Sequence, residues 1–428
     1  MSSTMPKKGY LTFAITGLLL LIIGFVLGVN TTVRGSLPFG INLPFVNFEN
    51  AVTRYRISGM NPPAGFQDAD FGVFWEVWNV LERNFYEPHR LDANLMIEGA
   101  TAGMVRALGD PYTIFLPHEE NVISGEDLAG SFYGIGIELG YRENYVAVIS
   151  PLSGTPAERA GLQPGDLIIH VRDDLIGVDE STSSWSLIRA QSIIRGRQRF
   201  SPIVLTIFRE DYNNNIPFEV EIERDEIIVR SVTLEFVEYG GDLVAHIRLS
   251  RFGDRTGEEW NEAVDEILQN RHRISGVVLD MRNGPGGYFD EAIRVASEFI
   301  PDGTVVTQRG LLMSQVFGVT GRGRLFDVPL VVLVNRGSAS ASEIVAGALR
   351  DRLGTPLVGE RTFGKGSVQQ RIEVTGGAGV HVTVAQWELP GGENIGDEGL
   401  EMDVEVRNDS ETEEDNQLHE AIRVLNTR

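Results

Sequence analysis

Five consecutive apolar residues, Leu330-Val331-Val332-Leu333-Val334, read as a buried strand, with Pro329 tolerated at its start. Asn335-Arg336-Gly337 breaks the run, and Ala341, Ile344, Val345, Ala348 and Leu349 then follow helical spacing. Together with the alternation of strands and helices beyond Ile228, this favours an α/β core. Ser340 stands at that strand-to-helix turn, where its hydroxyl can face a cleft. The amide of Ala341 is one of the unpaired donors at a helix start, suited to a developing oxyanion. Ser340 and Glu343 also have the spacing of a capping box, so helix capping is the competing explanation of the serine. Further on, Lys365 lies between Gly364 and Gly366. A lysine held in a dry pocket can lose its proton near neutral pH and serve as a base; a lysine in open solvent is only a loop residue.

Strand and helix patterns alternate from Ile228 onward. Leu243–Leu249 and Gly276–Met281 read as strands. Between them Thr256–Asn270 is an amphipathic helix with Trp260, Ala263, Val264, Ile267 and Leu268 inward, and Thr256 with Glu259 as a capping box. Arg282-Asn283-Gly284-Pro285-Gly286-Gly287 is a tight turn before a helix starting near Tyr288, and its amides could face Ser340 across a cleft. Gly376–Val406 reads as strands with a turn at Pro390-Gly391-Gly392. Asp409–Asp415 is an acidic run, expected to be a solvated linker before a short last helix.

From about Gly125 to Glu210 short strands surround one brief helix. Tyr133-Gly134-Ile135-Gly136-Ile137 precedes a strand at Tyr145–Ile149, and Thr155, Pro156, Glu158 and Gly161 have the positions of cap, first turn, capping box and C-cap. This stretch resembles a PDZ domain. On that resemblance Gly134, Ile135, Gly136 and Ile137 form the loop that binds a peptide's terminal carboxylate. Glycines free the backbone amides there, and the following strand edge accepts a peptide as an extra strand. Upstream, Phe74, Val77, Trp78, Leu81 and Phe85 share one helical face and are expected to be core. A second helix is expected from about Asn94 to Leu108, stopping at Gly109-Asp110-Pro111.

The segment Gly9–Val33 carries no charge, and Leu11–Val29 is long enough to span a bilayer as a helix. Lys7 and Lys8 precede it, which keeps the N-terminus cytoplasmic and places the rest outside. A cleaved signal peptide is the rival; the apolar stretch is longer than a usual signal core and no A-x-A-like site follows. Arg34 to about Gln67 reads as a spacer.

The 428 residues leave room for two or three domains, and 42% hydrophobic content is ordinary for a soluble enzyme. There is no cysteine, which excludes a thiol nucleophile, disulfides and thiolate metal sites. A formal charge of −23 offers no basic stripe for nucleic acid. Seven histidines are scattered without zinc or triad spacing, His246 and His381 among them in expected strands. No H-E-x-x-H, G-x-S-x-G or Walker loop occurs. No cofactor or metal is expected.

Gly337-Ser338-Ala339-Ser340-Ala341-Ser342-Glu343 and Phe363-Gly364-Lys365-Gly366, with 365 − 340 = 25 residues between serine and lysine, resemble the C-terminal processing peptidases (tail-specific proteases), serine peptidases that carry a PDZ domain. The resemblance implies Ser340 as nucleophile, Lys365 as general base and Gln369 as the lysine's orienting partner. It implies oxyanion amides from Ala341 and from the D-x-R-x-N-P-G-G turn, where Gly286 fits best and Gly287 stays open; Met281 and Gly284 depart from the family pattern. An arginine near the end of the second PDZ helix, here Arg195, would couple peptide binding to the active site, and Glu393 replaces an arginine of the relatives' groove. The segment ending in Gly109-Asp110-Pro111-Tyr112 would pack on the protease and support a homodimer.

The expected architecture is thus an α/β (α+β) multidomain chain. Residues 1–33 form the cytoplasmic tip and transmembrane anchor, 34–67 a linker and 68–120 a helical region. A PDZ domain at 121–212 and a Ser-Lys protease core with C-terminal strands at 213–408 follow, then an acidic linker and terminal helix at 409–428. The expected function is a single-pass membrane-anchored serine endopeptidase with an extracytoplasmic catalytic domain. Its substrates would be proteins or peptides bound through their C-termini. The alternatives are an inactive membrane-tethered PDZ adaptor and, with no feature for a CoA partner, a crotonase-like acyl transferase.

Overall fold

The computed structural model describes residues 70–409, apart from 143, 211, 322 and 397, and residues 414–427. The expected anchor Leu11–Val29 and the spacer after it lie outside the described residues. Among the described residues no helix is long and apolar enough to cross a membrane.

The described chain opens with helices α1 (Gly72–Asn84) and α2 (Ala93–Arg106). The Asp92 carboxylate caps α2 by accepting the amides of Asn94 and Leu95. The short strand β1 (Ile114–Leu116) follows, and then α3 (His118–Ala129), which stops at Gly130 in the left-handed region. Contrary to expectation, the apolar stripe of α1 is not core: the helix buries no residue, and Val77 and Leu81 are 52% and 39% exposed. Helical period shows that a stripe exists, but not that anything in the same chain covers it.

The middle domain comprises β2 (Ser131–Gly134), β3 (Ile137–Arg142), β4 (Tyr145–Pro151), α4 (Pro156–Arg159), β5 (Leu167–Asp173), β6 (Val178–Ser181), α5 (Leu187–Arg195), β7 (Pro202–Phe208), β8 (Phe218–Glu223) and β9 (Asp225–Ile228). Its antiparallel sheet runs β3-β4-β5-β7-β8, with β6 added to β5. Val146, Val148, Ile168, Leu205 and Ile207 alternate inward and close on Ile193 and Ile194 of α5. Strand β3 pairs only with β4, so its other edge is open among the described residues. Strands β2 and β9 pair as a two-stranded ribbon, and the Val229 amide donates to the Gly130 carbonyl at 2.9 Å, so the chain enters and leaves this domain at one place. Two expected caps are used differently. The Thr155 hydroxyl donates to the carbonyls of Leu152 and Gly136, and Glu158 accepts from the Gly154 amide.

The C-terminal layer is built from β10 (Val232–Tyr239), β11 (Asp242–Leu249), α6 (Thr256–Gln269), β12 (Ile274–Asp280), α7 (Phe289–Ser297), β13 (Thr304–Gly310), β14 (Ser314–Gly318), β15 (Leu330–Val334), α8 (Ala341–Leu353), β16 (Leu357–Gly359), β17 (Ser367–Glu373), β18 (Gly379–Glu388), β19 (Val404–Glu405) and α9 (Asn416–Asn426). The main sheet runs β10-β11-β12-β15-β16-β19, parallel from β11 onward. All five residues of β15 are buried, because helices cover both faces. Val332 and Val334 join the core with α6, α7 and α8, whereas Val331 and Leu333 meet Ala421, Ile422 and Leu425 of α9. A second, antiparallel sheet centres on β18: β17 covers one edge, and β1 and then β13 cover the other.

Two expectations fail here for lack of long-range information. Glu259 makes no capping box; its buried carboxylate accepts the amides of Ser231 and Val232 and the Arg255 Nε, while the Thr256 hydroxyl accepts the Gly253 amide. Asp415, at the end of the acidic run, is not a solvated linker residue: it caps α9 through the Leu418 amide and pairs with Arg282 at 2.6 Å.

The least exposed ion pair of the middle domain is Arg224–Asp173 at 2.7 Å, the two side chains 1% and 2% exposed. Arg224 also donates to the carbonyls of Ile193 and Ile194 at the end of α5. Arg224→Met is expected to cost about 3–5 kcal/mol in a urea titration of the full chain, because it strands a buried carboxylate and two carbonyls.

Candidate active site

Ser340 lies where β15 becomes α8, with φ 54° and ψ −112°, a region that a residue bearing a Cβ rarely occupies. The turn tolerates this strain because it is laced to the Met281–Gly287 turn beside it. Ser338 Oγ donates to the Met281 carbonyl, the Asn335 and Asn283 side chains pair, and the Gly284 carbonyl accepts both the Ala339 amide and Ser342 Oγ. A side chain at 284 would collide with Ser342 Oγ at 2.9 Å, so glycine suits the position.

These bonds set Gly286 against the serine. A Cβ built on it would fall 2.9 Å from Ser340 Cβ and 3.0 Å from the Ala341 nitrogen. Among the described residues neither the Ala341 nor the Gly286 amide donates to an acceptor. Gly287 serves packing instead, since a Cβ there would lie 2.0 Å from the Phe252 carbonyl and its backbone rests on Phe252.

Glu343 joins the serine to the lysine. Its carboxylate is fully buried and accepts the Ser340 amide at 2.7 Å, the Lys365 amide at 2.9 Å, the Gly364 amide at 2.7 Å and the Thr362 hydroxyl at 2.6 Å. The N3 position of α8 therefore fixes the main chain on both sides of the site. Lys365 is half-buried, and its Nζ lies 5.3 Å from the ring centroid of Tyr112, whose hydroxyl donates to the Gly364 carbonyl. Burial lowers the Lys365 pKa from the ordinary 10.5, against the opposing charges of Glu343 and Asp110. No carboxylate among the described residues forms an ion pair with its amine.

Ser340, Ala341, Gly286, Lys365 and Gln369 all line one cavity of about 700 Å³. The Gln369 side chain is held by its Nε2, at 2.8 Å from Ser367 Oγ and 3.2 Å from Thr383 Oγ1, and makes no hydrogen bond to Lys365. Helix α3 and, from α5, Ile188 and Gln191 close the cavity on the side of the middle domain. Arg195 at the end of α5 pairs with Glu126 and Asp127 of α3 at 3.1 and 3.3 Å and stacks over Phe132. In the Gly134–Ile137 loop the amides of Ile135 and Gly136 donate to no acceptor among the described residues, and Ile135 is buried. No group of three or more His, Asp or Glu side chains that could hold a metal occurs among the described residues.

Residues 243–406 match the model of peptidase family S41, and residues 123–207 match the PDZ domain. The chain is 31% identical over 340 residues to the carboxy-terminal processing protease CtpA of Bacillus subtilis, covering 79% of this chain and 69% of that protein. The chain is an S41 peptidase. Probable CtpA-like serine proteases of Staphylococcus aureus are 32% identical over 354 residues, covering 82% of this peptidase and 67% of the relative. A putative S41 protease structure from Bacteroides fragilis shares the fold at TM-score 0.52 and 15% identity, covering 82% of this chain and 96% of that one.

The sequence reading of this peptidase missed Tyr112 and Asp110 at the lysine and the second use of Glu343. The Asp110 carboxylate accepts the Tyr112 amide and the Thr113 hydroxyl, which tightens the turn under the lysine. Only the spacing Ser340–Glu343 was visible beforehand. The S-x-x-E pattern signals an acid at N3 but says nothing of donors arriving from residues 362–365. Also missed was Arg282, which bridges Asp280 and Asp415 and so ties the Gly286 turn to α9. Burial works to raise the Asp280 pKa, but hydrogen bonds from His246 and Arg282 outweigh it and bring the pKa down to about 2.

Glu343→Gln replaces one acceptor oxygen with an N–H₂ that faces amide donors. Chain stability is expected to fall by about 1–3 kcal/mol and cleavage by about 10²-fold, with Glu343→Asp intermediate. Urea unfolding and peptide turnover measure the two effects.

Proposed function

We propose that this peptidase is a membrane-anchored serine endopeptidase in which Ser340 is the nucleophile and Lys365 the general base. The observation that carries the reading is that one buried carboxylate grips the main chain at both residues, while both side chains line a single cavity and the lysine is desolvated. Neutral Lys365 Nζ takes the Ser340 proton as Oγ bonds to the scissile carbonyl carbon. The amides of Ala341 and Gly286 hold the resulting oxyanion. The C–N bond then breaks, the lysine proton passes to the leaving amine, and water, deprotonated by the same lysine, releases the acyl group. Gln369 orients Lys365 from the adjoining strand once the cleft is occupied.

The substrate's C-terminal carboxylate docks on the amides of Gly134–Ile137, and its tail adds to the open edge of β3. Because Ile188 and Gln191 of the peptide-binding domain line the catalytic cavity, an occupied groove would deliver the chain to Ser340 and raise its local concentration there. Arg195, bonded to α3, is the residue through which occupancy would reach the cleft. Leu11–Val29 anchors the chain with the catalytic domain outside the cell, and the exposed apolar faces of α1 and α2 support a homodimer.

Ser340→Ala and Lys365→Ala are each expected to lower kcat/KM for a tail peptide by about 10⁴-fold or more while the fold survives, as read by circular dichroism. Equal turnover by Ser340→Ala would refute the assignment of the nucleophile, and absence of turnover by the wild type would leave the adaptor reading. Gln369→Ala should lose less.

Since only the free amine abstracts a proton, wild-type kcat/KM should rise with pH and reach half its plateau below 10.5. The folded lysine's pKa is lower than that of the unfolded chain, so the unfolded state binds more protons and stability rises with pH through that interval. Accordingly Lys365→Met should melt higher than wild type at pH 7 although inactive.

A further inference from the structure

One wall of the catalytic cavity carries an arginine that the proposed chemistry does not use. Ser367, Gln369 and Arg371 of β17 all line it, two residues apart, so the strand carries a row of polar side chains away from Lys365. Arg371 is the last of that row and the cavity's one arginine. Its guanidinium is fixed by two neutral acceptors on α3: Nε donates to Asn121 Oδ1 at 2.9 Å and an Nη to the Asn121 carbonyl at 2.6 Å. Asn121 is itself buried and locked by donating to the Gly377 carbonyl.

Asn121 thus aims the guanidinium without neutralising it. Among the described residues no carboxylate pairs with Arg371, in a chain with 60 Asp and Glu against 37 Lys and Arg. Glu120 and Asp127 line the same cavity, yet neither pairs with it. Burial, and then the charge of Glu98, raises the Glu120 pKa. Beside Arg371 in the strand register stands His381, which lines the cavity with a buried Nε2 that has no hydrogen-bond partner. A fixed, unneutralised guanidinium next to an unpartnered imidazole nitrogen is a receptor for a carboxylate.

We infer that Arg371, with His381 beside it, is a specificity-determining residue of the cleft that takes a carboxylate of the substrate: an Asp or Glu side chain near the scissile bond, or the tail's own α-carboxylate. This rests on the Ser340–Lys365 reading. It is separate from carboxylate capture by the Gly134–Ile137 loop, which lies in the other domain.

The test uses the full chain and quenched fluorescent peptides cleaved by wild type. One series moves a single Glu, with Gln as its matched control, through the positions flanking the cut; another compares free with amidated C-termini. Wild type should favour the carboxylate-bearing member of one pair by tenfold or more in kcat/KM. In Arg371→Gln that ratio should fall towards one, and in Arg371→Glu it should invert in favour of a Lys-bearing peptide. If the Glu/Gln pair responds, the carboxylate is a side chain; if the free/amidated pair responds, it is the terminus. An amidation penalty that persists undiminished in Arg371→Gln belongs to the PDZ loop and overturns the terminus arm. Ratios that are unity in wild type, or unchanged by both substitutions, overturn the inference. Ser340→Ala run on the same peptides keeps the two readings apart: lost turnover there upholds the nucleophile whatever Arg371 does, and retained turnover sinks the nucleophile itself.

Discussion

The buried carboxylate of Glu343 holds the serine turn and the lysine loop in one rigid arrangement. Two main-chain amides, a third amide at Ser340 and one hydroxyl converge on it. Hydrogen bonds to a charged acceptor contribute about 1.5–3 kcal/mol each, enough together to offset the several kcal/mol needed to bury the charge. Remove that acceptor and three N–H groups are left without a partner in a water-poor interior. The lysine loop contains Gly364 and Gly366 and has little side-chain packing of its own, so its position depends on these bonds.

The second requirement is the lacing of the serine turn to the Gly284–Gly287 turn. A non-glycine residue at positive φ costs about 1–3 kcal/mol and persists only where its surroundings dictate it. Here the dictating groups are main-chain carbonyls of Met281 and Gly284 that receive donors from the serine turn. The same contacts bring Gly286 against Ser340, so the strain at the serine and the placement of that glycine have one cause. Arg282 extends the chain of dependence to α9 through Asp415, a helix that also seals the far face of the sheet.

Much of this was legible from local patterns. The all-apolar β15, the glycine turn after β12 and the glycine-flanked lysine each carry their meaning within a few residues. The PDZ region is equally local, since its sheet connects neighbours in sequence. What the sequence could not show are partners set by packing. Tyr112 meets Gly364 across 252 positions, and Arg282 meets Asp415 across 133. Charge patterning made Asp415 look solvated, because a run of acids says nothing about which of them will meet a buried guanidinium. Helix period likewise marks Val77 and Leu81 as inward, while the described chain leaves both exposed. Thr155 and Thr256 sit where caps are expected, but nearby carbonyls and amides compete for their hydroxyls.

The ribbon formed by β2 and β9 has a topological consequence. Because Gly130 and Val229 are hydrogen-bonded neighbours, nearly a hundred residues between them form a loop whose two ends already touch. Closing that loop asks nothing of the catalytic layer, and β1 and α3 reach the lysine pocket before the excursion begins. The peptide-binding module is therefore an insertion in the architectural sense. Evolution could lengthen it, exchange it or recombine it with another recognition unit at that one gate, leaving the hydrolytic sheet's connectivity untouched.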